Sequence, residues 1–147
     1  MTTISLSDWL ESPEIVIGED DHRMLTIAAL TEVGTHRDHT DFLLYELDRA
    51  RIVQDAMLPS DVARIGSVVR YKTIPGEERT VKLAMPHDVD PAGGYRLSVT
   101  SAHGAALLGT RPDQVMTWQD TAGTLQRLRV IAVSNLDLGD DPGPSAA

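Results

Sequence analysis

Apolar positions along the chain recur with two different periods, and the change between them separates a helical amino-terminal part from a carboxy-terminal part made largely of strands. Ile15-Val16-Ile17-Gly18 is a short apolar run of strand type. Met24, Ile27, Ala28, Leu30 and Val33 follow at helical spacing behind Glu19-Asp20-Asp21, acids that a helix dipole favours at its start. A first helix is therefore expected over about Asp21–Val33, with Gly34 ending it. Leu43, Leu44, Leu47 and Ala50 give a second helix an apolar stripe over Asp41–Arg51. The linker Thr35-His36-Arg37-Asp38-His39 is short and polar, and two helices so joined fold back antiparallel. With about 12 to 14 residues in each helix, at ~1.5 Å per residue, the hairpin is roughly 20 Å long.

From Ile52-Val53 onward the period is two. Strands are expected over Ile65–Lys72, Thr80–Met85 and Gln126–Val133, set apart by turn signals at Leu58-Pro59-Ser60-Asp61, Pro75-Gly76 and Ala122-Gly123. Leu97 to Trp118 reads as a compact unit. In its first strand Leu97, Val99 and Ser101 alternate with Ser98, Thr100 and Ala102, and a single helical turn over Gly104–Gly109 then drops Leu107 and Leu108 into a core. A turn at Arg111-Pro112-Asp113 leads to a second strand, Val115–Trp118. The fold class is α+β, a short amino-terminal antiparallel helical hairpin followed by an antiparallel sheet with one short helix. The divisions are a leader at residues 1–14, the hairpin at 15–55, the sheet domain at 56–136 and a tail at 137–147, expected to be disordered because GDDPGPSAA has no core former.

Composition narrows the functions open to such a fold. Aromatics make up 4% of the 147 residues, so the core is aliphatic and a base-stacking surface is not expected. There is no cysteine, which excludes a disulfide framework and a thiol nucleophile. No apolar run approaches the ~20 residues of a membrane span, and the amino terminus carries acids where a signal peptide needs a basic start. A cytoplasmic protein with no membrane contact is expected. The net charge of −9 is unevenly spread: residues 1–57 hold twelve acids against four arginines, and the remainder ten acids against nine bases. An acidic arm is thus joined to a near-neutral body, which argues against direct nucleic-acid binding unless the body alone makes contact.

Candidate chemistry is sparse. His36 and His39 lie near Asp38 and Asp41 in HRDHTD, residue types that zinc or manganese accepts, but an i, i+3 histidine pair in a loop lacks a platform to fix it. Asp38 and Asp41 also serve as acids at a helix start. His103 beside Ser98 and Ser101 has no acid nearby in sequence to orient it and no G-x-S-x-G elbow. Gly93-Gly94 is a turn, because a phosphate loop needs more glycines and a Lys-Ser or Lys-Thr pair. Pro86 to Asp90 is a solvated acidic loop. No catalytic residue, metal or cofactor is expected.

Four stretches carry a resemblance to a known family. LLYELDRARIV (Leu43–Val53), LPSDVARIGSVVRY (Leu58–Tyr71), GEERTVKLAMPHDVD (Gly76–Asp90) and LSVTSAHGAALLG followed by DQVMTW resemble the bacterial nucleoside diphosphate kinase regulators, a branch of the Gre transcript-cleavage factor superfamily. The resemblance spans about Ile15 to Val133. It implies that the sheet domain is FKBP-like and that the partner is RNA polymerase, bound at the rim of its secondary channel. In Gre factors a long hairpin carries acidic tip residues to the active site, where they help to hold magnesium and water for transcript cleavage. A Gre-like hairpin of about thirty residues per helix is ~45 Å long at ~1.5 Å per residue, about twice what this chain offers. The resemblance therefore implies channel binding in competition with Gre factors and without cleavage, with Asp38 and Asp41 at the hairpin tip. The polymerase-contacting loop falls on Thr100, Ser101, Ala102 and His103. Ser101 matches the serine of a Ser-Pro pair there, and Ala102 replaces the proline. An FKBP-like fold also raises prolyl isomerisation, but such a pocket is lined with aromatics, and one Phe, three Tyr and two Trp are too few and too scattered. The family name raises a second partner, nucleoside diphosphate kinase itself.

Overall fold

The computed structural model describes residues 13–31, 37–89, 94–119 and 122–135. Most of the expected leader, the linker residues 32–36 and the tail lie outside the described residues.

Two helices of equal length, α1 (Glu19–Thr31) and α2 (Arg37–Arg49), follow the first strand, β1 (Val16–Gly18). Each begins earlier than the apolar pattern suggests. In α1 the acids Glu19, Asp20 and Asp21 form the first turn, and the backbone N–H of Asp20 donates to the Asp55 carboxylate at 3.2 Å, which supplies a partner for a free amide at the helix start. The buried positions of α1 are Asp21, Leu25 and Ala29, spaced by four. Met24, Ile27 and Leu30, expected in the core, are 45%, 60% and 60% exposed. The helix is apolar on two sides, and the side that α2 covers is the one centred on Leu25. In α2 the expected stripe is buried at Leu43 and Leu47.

The helices pack against each other, and His22 in the first turn of α1 hydrogen-bonds the Leu47 carbonyl in the last turn of α2 at 3.0 Å. Beyond α2, β2 (Arg51–Val53) pairs in parallel with β1, Val16 opposite Arg51. Glu46 is 3% exposed and sits in a fork from Arg49, whose Nε and Nη2 donate at 3.0 and 2.9 Å while Nη1 donates to the Pro13 carbonyl at 2.8 Å. A buried carboxylate persists only when paired in this way.

The main sheet has five strands in the order β5-β4-β3-β7-β6. These are β3 (Val68–Thr73), β4 (Glu78–Ala84), β5 (Arg96–Ser98), β6 (Val115–Gln119) and β7 (Leu125–Ser134). The expected all-antiparallel sheet is corrected at one edge: β5 runs parallel to β4, with Lys82 opposite Arg96. The expected strand at Ile65 starts only at Val68, because the backbone N–H groups before it are already taken. The Arg64 N–H donates to Ser67 Oγ at 2.7 Å and the Ile65 N–H to Asp21 Oδ2 at 3.1 Å. A third helix, α3 (Ala102–Leu107), lies on one face of the sheet, and its Ala105, Ala106 and Leu107 pack with Val69, Tyr71, Val81, Leu83, Met116, Trp118, Leu128 and Val130.

The same core cluster takes in Ile15, Ile17, Leu25, Leu43 and Leu47, because α2 is seated on α3. Gly109 marks the tightest point of this junction. Its φ is +76°, and an added Cβ would lie 2.8 Å from Cβ of Ile15 and 3.0 Å from the backbone of Val16. The amide of Val16 donates to the Gly109 carbonyl at 3.2 Å, while the Gly109 amide donates to Ala63 at 2.8 Å. Among the described residues, no helix is long and apolar enough to cross a membrane.

Candidate functional site

The stretch Ser98 to Gly104, which contains the sequence-predicted contact residues, is not the continuous strand its alternation suggests. β5 stops at Ser98 because its serines satisfy the local backbone themselves. Ser98 Oγ accepts from the Thr100 N–H at 3.1 Å and meets Thr100 Oγ1 at 2.7 Å. Ser101 Oγ donates to the Ser98 carbonyl at 2.6 Å and accepts from the Gly104 N–H at 3.1 Å. Ser101, with φ −75° and ψ 160°, is therefore the N-cap of α3, which starts two residues ahead of the expected Gly104. Gly104 sits so close to the Ser98 carbonyl oxygen that any side chain there would overlap it.

Thr100, Ser101, Ala102 and His103 thus come together in one turn at the amino end of α3. Their exposure differs. Thr100 is buried and serves the turn, whereas Ser101, Ala102 and His103 are partly exposed. The His103 ring stands perpendicular to Trp118 with centroids 5.4 Å apart, and lies 6.1 Å from the ring of Tyr71. Burial, and then the neighbouring Arg79 guanidinium, hold the His103 imidazole below its ordinary pKa, so it is neutral at pH 7. The turn itself carries no charged side chain, while the Arg79 guanidinium lies close enough to act on His103.

Phe42 of α2 also packs on Trp118, stacked at 5.6 Å and 19°. The grouping of Phe42, Trp118, His103 and Tyr71 escapes sequence reasoning, since its members come from four separate places in the chain and no local pattern brings them together. Asp38 lies in the first turn of α2, and Asp41 is exposed one turn further along. His36, the other half of the metal candidate, lies outside the described residues. Among the described residues no group of three or more His, Asp or Glu is placed to hold a metal ion.

Asp21 is a second feature that pattern reading misses. Its carboxylate crosses from α1 to the segment before β3, accepts from the Ile65 amide at 3.1 Å and lies 4.0 Å from Arg64. Burial pushes its pKa up, and these two partners offset part of the rise.

Residues 58–135 match the family described as "Transcription elongation factor, GreA/GreB, C-term". Over 123 residues the chain is 29% identical to the regulator of nucleoside diphosphate kinase of Escherichia coli (strain K12), covering 83% of this chain and 90% of that protein. The Shigella flexneri regulator of nucleoside diphosphate kinase matches to the same extent. Among solved structures, the prokaryotic transcription elongation factor GreA/GreB from Nitrosomonas europaea is similar at 30% identity and a TM-score of 0.63, covering 82% of this chain and 99% of that one.

Proposed function

We propose, from the premise that this chain belongs to the GreA/GreB transcription elongation factor family, that it is a regulator of elongation that docks at the secondary channel of RNA polymerase and competes with Gre factors without cleaving transcript. In this reading the five-stranded sheet with α3 is an FKBP-like docking platform that presents Thr100, Ser101, Ala102 and His103. The two long helices are a short antiparallel hairpin with Asp38 and Asp41 toward its tip. Helix length carries the reading. Each helix has 13 residues. At ~1.5 Å per residue that is roughly 20 Å, against the ~45 Å of a Gre-like hairpin. The stacking of Phe42 on Trp118 supports it further, because α2 is tied to the platform from its second turn onward. An acidic arm of this size fits the mouth of a basic funnel and speeds encounter at low salt.

The docking surface is best tested at Ala102. Ser101→Arg would also remove a helix cap worth ~1 kcal/mol. Ala102→Glu instead puts a carboxylate in the first turn of α3, where the helix dipole favours it. Labelled protein is expected to bind core RNA polymerase with salt-sensitive affinity, and Ala102→Glu to weaken that binding about tenfold, the equivalent of ~1.4 kcal/mol, while circular dichroism shows the native fold retained at the assay temperature. Unchanged affinity removes the surface, and stimulated RNA cleavage in backtracked complexes removes the competitor role.

The relatives' name supports a second reading, direct regulation of nucleoside diphosphate kinase. A pull-down offering purified kinase and polymerase side by side separates the two.

A further inference from the structure

The outer face of the five-stranded sheet, opposite α3 and the long helices, gathers most of the positive charge of the body. After residue 57 the chain has nine lysines and arginines. Strand register places six of them on this face: Arg70 and Lys72 on β3, Lys82 on β4, Arg96 on β5, and Arg127 and Arg129 on β7. Lys82 faces Arg96 across one strand pair, and Lys72 faces Arg129 across another. Five of the six are exposed and Lys82 is partly so. The strand positions of this face carry one carboxylate, Glu78, which accepts from Arg70 at 2.6 Å; beyond the strands Asp113 meets Arg129 at 3.1 Å and Asp88 lines one hollow with Lys82 and Arg96, so among the described residues six cations stand against three carboxylates. Positive charge remains in surplus over a patch four strands wide, about 14 Å at ~4.8 Å per strand.

Among the described residues, the exposed acids of the amino-terminal helices lie elsewhere. The exposed Glu19, Asp20, Asp41 and Asp48 belong to α1 and α2, on the far side of the sheet. At least one packed layer of roughly 10 Å separates them from this face, more than the ~8 Å over which physiological salt screens charge. An anion arriving at the outer face meets the cations, with the acidic arm screened behind the body.

We propose that this face binds the phosphate backbone of a nucleic-acid duplex without regard to sequence. A face four strands wide is too broad to enter either groove, so it reads phosphates and not bases. Its strand positions carry no aromatic ring, since Tyr71 and Trp118 point into the core, and a flexible single strand needs such rings to stack on. A duplex is rigid, has the densest phosphate charge and needs no stacking. Arginine, four of the six cations, forks onto phosphate oxygens.

The test uses the full chain with a short fluorescent DNA duplex and no polymerase, so its outcome is independent of the docking reading above. Binding is expected to be equal for two unrelated sequences. With three or four phosphates neutralised, it should weaken on the order of 50-fold between about 50 and 200 mM salt. Lys72→Glu with Arg127→Glu and Arg129→Glu should weaken it at least about tenfold, and the corresponding glutamine triple variant, which keeps the strands free of new charge, should do so in the same direction. Arg111→Gln, which removes a cation off this face, should leave it unchanged. Absence of duplex binding, triple variants that bind like the native chain, or equally tight binding of a single strand or of polyglutamate would each overturn the proposal.

Discussion

Helices α1 and α2 have the same length and are neighbours in the chain, yet they stand in different relations to the rest of the molecule. α2 buries Leu43 and Leu47, stacks Phe42 on Trp118 and rests on α3. α1 rests on α2 and on β1, and leaves Met24, Ile27 and Leu30 in solvent. One helix is the mount and the other is carried by it. The contrast teaches that an amphipathic sequence establishes a helix, while the layer beneath decides which stripe is used. Only in α2 does the most apolar stripe coincide with the buried one.

Substitutions at matched positions test that asymmetry. The largest effect is expected from Leu43→Ala, which empties a fully buried site in α2 and should cost about 2–5 kcal/mol in denaturant unfolding. Ile27→Ala in α1 should stay within ~0.5 kcal/mol, as for an ordinary surface position. An equal loss at Ile27 would mean that something covers the outer stripe of α1 in solution, and the two helices would no longer differ. Phe42→Ala should come next, at about 1–3 kcal/mol, because it strips one face of Trp118, whereas Tyr45→Ala one turn along is 59% exposed and should cost little.

The smallest effects are in pH dependence and have opposite signs on the two sides of the junction. Asp21 on α1 has a raised pKa, so the folded state holds its proton more tightly than the unfolded chain does. Its contribution is least favourable at neutral pH and improves as pH falls through the raised value toward 3.8. His103 on α3 has a lowered pKa, so its contribution is fully present above 6.5 and is lost as pH falls from there toward the lowered value. Asp21→Asn should remove the first trend and His103→Gln the second, each read from melting temperature against pH.

Local features were the legible ones. The two helices, the strands and the turn residues follow from periodicity and from Gly, Pro and Asp positions within a few residues of each element. The proposed contact residues Thr100 to His103 are adjacent in sequence, so any resemblance that finds one finds all. What escaped is set by groups far apart in the chain. Which stripe of α1 is buried depends on Leu43 and Leu47, and the parallel direction of β5 is seen only in its pairing with β4. The strand expected through Ser101 ends early because Ser98 and Ser101 bind backbone groups, a competition that alternation of apolar residues does not register. The basic face was hidden by arithmetic, since the charges of residues 58–147 nearly cancel along the chain and separate only when strand register sorts them by side.

The glycine at 109 has a consequence for anyone who would treat the amino-terminal helices as an interchangeable cassette. The backbone of Val16 lies where a side chain at 109 would have to go, and Trp118 is roofed by a residue donated from 76 positions earlier. Helices grafted from a relative will seat only if they bring their own fit to both places, so chimaeras should be cut outside Ile15 and Ala50, with residue 109 and residue 118 exchanged alongside.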